Sequence, residues 1–138
     1  MKYLLDTDIC VYWLKANDCI EQTALSVGLI NISISFMSLS ELYYGAYKSQ
    51  YVKENLAAIK LLAAKLSIVE SDDEICACFG NLKALLEKKG MIIDDADLFI
   101  AACALTTGAT LVTNNTRHFK RIEGLQLQNW SDYATLDM

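Results

Sequence analysis

Proline is absent from the chain, histidine occurs once, as His118, and no uninterrupted apolar run is long enough to cross a bilayer. The missing run excludes a spanning helix, which needs about 18 consecutive apolar residues. A secretory leader is not expected either, because the opening MKYLLDTDIC places an acid at Asp6, too early for an apolar h-region. A soluble, cytoplasmic protein is the resulting expectation. The lone histidine excludes a nuclease that works through a pair of histidines. A Ser-His-Asp or Cys-His arrangement would have to run through His118, which lies in the polar stretch TNNTRHFKR and reads as an exposed loop or helix-start residue. If the chain is an enzyme, carboxylates must carry its chemistry.

Cysteine is present, but in odd number. Cys10, Cys19, Cys76, Cys78 and Cys103 sit among apolar neighbours and read as small buried hydrophobes rather than a disulfide framework. Cys76 and Cys78 form a lone C-x-C pair without a second pair, so a tetrahedral structural zinc site is not expected. Repeats, low-complexity runs and linkers are missing as well. With 138 residues, 54% of them hydrophobic, the chain has room for one well-filled core, and residues 1–138 read as a single domain.

Residues 2–5 (KYLL) read as a short buried strand ending at Asp6, followed by a helix from about Asp8 to Lys15. Residues 31–36 (NISISF) alternate as a strand does. Ser38-Leu39-Ser40-Glu41 matches a capping box and is expected to open a helix running to about Ser49. Val52, Leu56, Ile59, Leu62 and Leu66 recur at helical spacing, as do Ile75, Phe79, Leu82 and Leu86, with Gly90 as a stop. A short strand is expected near Leu66–Val69. Asp94 to Thr107 reads as a mostly buried helix closed by Gly108, Thr110–Thr113 as a strand, and Leu125–Gln128 as another. Strands alternating with helices imply an α/β sandwich with a mainly parallel sheet. In such sheets ligands bind beyond the carboxyl ends of the strands.

The acids fall at those ends. Asp6 closes the first strand, Glu41 follows the second, Asp94 and Asp97 open the helix before the TLVT strand, and Asn114 and Asn115 follow that strand. Each has an ordinary reading. Glu41 could be half of its capping box, Asp8 an N-cap, Asp94 and Asp97 partners of a helix N-terminus, and the asparagines turn residues. Yet Asp6 and Asp97 are flanked by apolar residues, and carboxylates at the margin of a core are costly unless paired or bound to cations. Clustered acids repel one another and raise their own pKa values, a penalty that a hard divalent cation removes. Mg²⁺ or Mn²⁺ takes such oxygen ligands while keeping several waters, one of which can attack a phosphodiester.

The segments MKYLLDTDICVYWLK, MSLSELYYGA and GMIIDDADLFIAACALTTGATLVTNNTRHFKRIEGLQLQNW resemble the PIN-domain ribonucleases, and within them the VapC-type toxins of bacterial toxin–antitoxin pairs. The likeness runs in order from Met1 to about Trp130 through an acid after the first strand, S-x-x-E-L, D-x-x-I-A-A and L-V-T-x-N-x-x-x-F. It implies a three-layer PIN-like α/β sandwich and a metal-dependent endoribonuclease. Asp6, Glu41 and Asp97 match the family's three core acids, as metal ligands and catalytic groups. Asn115 falls where many members carry a fourth acid and others carry Asn; Asp94 is a local substitute, Asp8 or Thr7 could add a hydrogen bond behind the ligands, and Thr113 resembles a position near the site. The resemblance also implies RNA substrates such as tRNA or rRNA loops, arrest of translation, a small antitoxin partner (a type II system), and a homodimer.

Two alternatives remain at this point. A PIN-like module without catalysis would lack a core acid, and all three are present. Asp6-Thr7-Asp8 is also similar to the D-x-D start of aspartyl phosphatases, although Cys10 stands where Thr or Val is expected. The net charge of −5 is awkward for a nucleic-acid enzyme. Counting Asp6, Glu41, Asp94 and Asp97 as metal-bound brings it to about −1. Lys48, Arg117, Lys120 and Arg121 lie near the proposed site in sequence and could hold an RNA backbone, or simply be solvated. Tyr43, Tyr47 and Tyr51, spaced by four, with Tyr44 beside them, could be core, a groove for an antitoxin helix, or a dimer contact; Trp13 and Trp130 are equally open.

Overall fold

The structure, a computed structural model, describes residues 1–131; the last seven residues of the expected 1–138 domain lie outside the described residues. Five strands, β1 (Tyr3–Leu5), β2 (Ile32–Ser35), β3 (Ser67–Val69), β4 (Thr110–Val112) and β5 (Leu127–Gln128), form one sheet in the order β3-β2-β1-β4-β5. Every neighbouring pair is parallel, with Tyr3 opposite both Ile32 and Thr110, and Leu5 opposite both Ile34 and Val112. Parallel strands need crossovers, and those here are helical.

The helices are α1 (Thr7–Leu14), α2 (Asp18–Val27), α3 (Phe36–Tyr47), α4 (Val52–Lys65), α5 (Asp73–Lys88), α6 (Asp95–Thr107) and α7 (Thr116–Phe119). Side chains alternate across a strand, so Leu4 and Leu111 face one layer while Leu5 and Val112 face the other. Leu5, Ile34 and Val112 pack against Ile9 and Trp13 of α1, Ile20 of α2, Leu42 of α3 and Ile59 of α4. Leu4 and Leu111 pack against Ile75 and Leu86 of α5, Leu98 and Ile100 of α6, and Phe119 of α7. Two apolar clusters on opposite faces of one parallel sheet make the three-layer α/β sandwich that the sequence predicts. Helix α6 is buried from Ile100 to Ala104, as its unbroken apolar run requires, and ends on Gly108 in the left-handed conformation (φ 69°), which glycine adopts without steric cost.

Several local expectations need correction. The sequence reading missed α2 entirely, although Asn17 caps it by accepting from the Cys19 and Ile20 amides and Gly28 ends it. Helix α3 opens earlier than expected: Ser35 is its N-cap and accepts from the Ser38 amide at 3.0 Å, so the Ser38–Glu41 capping box does not form. Asp6, not Asp8, caps α1. The last strand is shorter than expected. Cys10, Cys19 and Cys103 are buried, but Cys76 is exposed on α5 and Cys78 half-buried. Trp13 and Trp130 are core residues, whereas Tyr44, Tyr47 and Tyr51 are 66%, 65% and 62% exposed, which removes the core reading for them. Among the described residues no helix is long and apolar enough to cross a membrane.

The two-faced core sets a stability test. Leu111→Ala removes a fully buried side chain from the centre of the sheet and is expected to cost about 2–5 kcal/mol in urea unfolding. Leu61→Ala, at an exposed position on α4, should change stability by less than about 0.5 kcal/mol.

Candidate active site

Strand β1 ends at Leu5, and the next residue, Asp6, turns the chain into α1. Its amide donates to the Val112 carbonyl at 2.8 Å, extending the β1–β4 ladder by one bond, and its carbonyl accepts from the Cys10 amide. Only 6% of Asp6 is exposed. Oδ1 accepts from the Thr7 amide at 2.8 Å and Oδ2 from the Thr113 hydroxyl at 2.7 Å. Burial pushes this carboxyl up to about 7; the Asp8 and Asp97 charges add to the rise, and the two hydrogen bonds oppose it.

Asp8, in the first turn of α1, accepts from the Ile9 amide at 2.7 Å and from the Asn114 amide at 3.1 Å. Its pKa is raised, chiefly by burial, and the Asp97 charge contributes. Thr113 is fully buried; besides donating to Asp6, its hydroxyl accepts from the Asn115 amide at 3.0 Å. The turn after β4 is thereby tied to the turn after β1.

Glu41 lies in the second turn of α3, half-buried. Its Oε1 accepts from the Thr7 hydroxyl at 2.6 Å, and that hydroxyl stands 3.1 Å from the buried Ser38 hydroxyl. The earlier start of α3 explains the arrangement: with Ser35 as the cap, Glu41 is free of any capping duty and reaches α1 instead.

Asp97 lies in the first turn of α6, with 29% of its side chain exposed. Burial raises its pKa, Asp94 adds to the rise, and His118 opposes it. His118 Nε2 is 3.1 Å from Asp97 Oδ2, and its ring is 21% exposed. The sequence placed His118 in an exposed loop or at a helix start; it is the half-buried partner of a core acid on α7. A local motif could not show this, because the contact joins residues 21 apart in sequence.

The remaining candidates are less engaged. Asp94 is the exposed N-cap residue of α6 and makes no side-chain capping bond. The Asn115 side chain is exposed, and its amide and carbonyl hold Thr113 and Phe119. Arg117 and Lys120 flank His118 along α7 and just past its end, both exposed. Arg121 donates to the Ile92 carbonyl at 3.4 Å, and the Lys48 ammonium sits over the Tyr44 ring at 4.7 Å. Among the described residues no three acidic, histidine or cysteine side chains are drawn tightly enough to cage a metal as they stand. The acids instead meet through hydroxyls and through their mutual repulsion.

The burial of Asp6, with the repulsion added to it, predicts an unusual pH dependence. Asp6 titrates near 7 in the folded chain and near 3.8 when unfolded, so between these values the folded state holds a proton that the unfolded state has lost. The associated stability is complete below about pH 4 and is lost as pH rises through 7, up to about 4 kcal/mol. Urea midpoints of metal-free protein should therefore fall from pH 5 to pH 8, and Asp6→Asn should flatten the fall. Equal slopes in both proteins would mean that Asp6 is already ionised at pH 5.

The family model of the PIN domain matches residues 3–125. Ribonuclease VapC2 of Haemophilus influenzae is 38% identical over 130 residues, covering 94% of this chain and 98% of that protein. The tRNA(fMet)-specific endonuclease VapC of Shigella flexneri is 34% identical over 131 residues, covering 95% and 99%. Among solved structures, VapBC2 from Rickettsia felis, bound to a DNA fragment from its promoter, aligns with a TM-score of 0.89 at 39% identity, over 94% of this chain and 99% of the other. The phosphatase alternative falls with these matches. A parallel five-stranded sandwich, acids gathered at the carboxyl ends of its strands, and near-full-length likeness to ribonucleases of one name place this chain in the PIN-domain family, as a VapC-type endoribonuclease toxin.

Proposed function

We propose that the ribonuclease activity resides in Asp6, Glu41 and Asp97, acting as ligands for Mg²⁺ or Mn²⁺, with Asp94 and Asn115 as lesser contributors. The observation that carries this reading is the Asp6 carboxyl. It is buried, pushed up to about 7, linked through Thr7 to Glu41, and repelled by Asp97. The donor set fits a hard cation: every side-chain group is an oxygen, and the acids are desolvated enough that a divalent charge would be strongly favoured. When bound, the ion supplies an acidified water and positive charge for the developing phosphorane. The protein side of the reaction follows from the contacts described. Thr113 and the Thr7 amide fix the Asp6 oxygens, Thr7 directs Glu41, and His118 holds one oxygen of Asp97. Arg117 and Lys120 on the rim supply phosphate contacts.

The substrate is an RNA loop of the tRNA or rRNA type. A tRNA is supported by the Shigella relative, which is named for cutting tRNA(fMet). The protein partner is an antitoxin, supported by the VapBC complexes among the solved relatives. A cleft of about 270 Å³ lies beside Glu41, lined by Val11, Leu14, Leu42, Ala46 and Ile59, and suits an apolar antitoxin segment. A homodimer acting in the cytoplasm completes the proposal.

Purified protein with Mg²⁺ or Mn²⁺ is expected to cut RNA; EDTA should abolish cleavage, and Asp97→Asn should slow it by at least about 100-fold. Cleavage surviving in Asp97→Asn would remove Asp97 from the site. RNA affinity, followed by fluorescence anisotropy with the inactive variant, should fall at least about tenfold between 50 and 200 mM salt. A flat response would eliminate Arg117 and Lys120 as backbone contacts.

A further inference from the structure

Among the described residues, Thr7 is the one that hydrogen-bonds to both Asp6 and Glu41. Its amide donates to Asp6 Oδ1 at 2.8 Å and its hydroxyl to Glu41 Oε1 at 2.6 Å. A hydroxyl carries a single proton, and a short bond to a carboxylate uses it. The Ser38 hydroxyl, fully buried, lies 3.1 Å from the same Thr7 oxygen. Ser38 is itself fixed, because its amide donates to the Ser35 cap. A line of hydroxyl contacts therefore runs from the N-terminus of α3, through Ser38 and Thr7, to the carboxylate of Glu41. Thr7 is also β-branched and opens α1, so its χ1 has few choices and its hydroxyl a defined direction.

We infer that Thr7 is a positioning residue for the metal site: its hydroxyl sets the Glu41 carboxylate at a fixed distance from Asp6. The inference rests on the proposed ligand set and assigns no ligand role to Thr7. Without this bond, no side-chain hydrogen bond among the described residues would tie Glu41 of α3 to the segment that carries Asp6. With it, two carboxylates from segments 35 positions apart share one rigid connector, and the ordering cost of bringing them together is met before the cation arrives.

The test is Mn²⁺ binding to purified protein in the absence of RNA, read from the free-ion signal in electron paramagnetic resonance. Thr7→Val keeps the shape and removes the donor; Thr7→Ser keeps the donor. Thr7→Val is expected to weaken Mn²⁺ binding by about tenfold or more, and Thr7→Ser to stay within about threefold of wild type. In turnover, Thr7→Val should lower kcat with little change in KM for RNA. Thr7→Ala repeats the deletion if valine disturbs the fold, which circular dichroism in EDTA reports. Wild-type Mn²⁺ affinity in folded Thr7→Val or Thr7→Ala would overturn the inference. So would equal losses in the valine and serine variants, which would mark a packing role. Glu41→Gln separates the two claims: if it binds Mn²⁺ as wild type does, the proposed ligand set fails and the Thr7 inference fails with it.

Discussion

The architecture of this end of the molecule depends on a carboxylate that burial should expel. Asp6 closes the central strand of the sheet, with β2 on one side and β4 on the other. The chain runs outward from β1 through β2 to β3, then returns to the opposite side of β1 as β4. Strand β1 is thus where the order reverses, and crevices in open parallel sheets form at such a reversal. The residues just past the end of β1 lie between the α3 branch and the β4 branch. Asp6 can therefore accept from Thr113 after β4, while its neighbour Thr7 reaches Glu41 on α3. Topology puts the acid there, and the hydroxyls and amides around it make the position tolerable.

The tolerance is incomplete. Asp6, Asp8 and Asp97 all have raised pKa values, with burial as the first cause for each. A fold selected for stability alone would replace one of them with an amide. Keeping three holds this end of the sheet in electrostatic tension, which the proposed divalent cation would relieve. His118 offsets part of that tension at Asp97, the acid farthest along the chain from β1. On a chain of net charge −5, Arg117 and Lys120 stand exposed on either side of His118.

What was legible in the sequence was whatever depends on short-range pattern. The apolar runs of β1 and β4 and the helical spacing of α4 and α5 could be read directly, as could the glycine that ends α6. So could the acids after apolar strands, since an Asp beside Leu4, Leu5 and Ile9 has few reasons to exist. The failures share a cause. In ISISFMSLSE several serines can cap a helix, and propensity does not choose between Ser35 and Ser38; packing of Phe36 and Met37, the first residues of α3, against the α5–α6 cluster favours the earlier start. Helix α2 has buried residues only at Cys19, Ile20 and Ala24, too few for a clear period. His118 was read from polar neighbours, whereas its environment is set by Asp97 on another helix.

The tyrosines sharpen the same lesson. Tyr43, Tyr47 and Tyr51 share a spacing of four, yet only Tyr43 packs against the core. Helix α3 ends at Tyr47 and the chain turns before α4, so the spacing outlasts the helix that gives it meaning. Tyr51 stands at the cap of the next helix and Tyr44 on the solvent side of α3, beneath the Lys48 ammonium. Three exposed tyrosines within eight residues form an aromatic margin at the far end of the helix that carries Glu41. Periodicity locates a face only while one helix persists. Beyond its end the backbone turn decides what is buried, and here it leaves rings in solvent on the helix whose opposite end holds a candidate metal ligand.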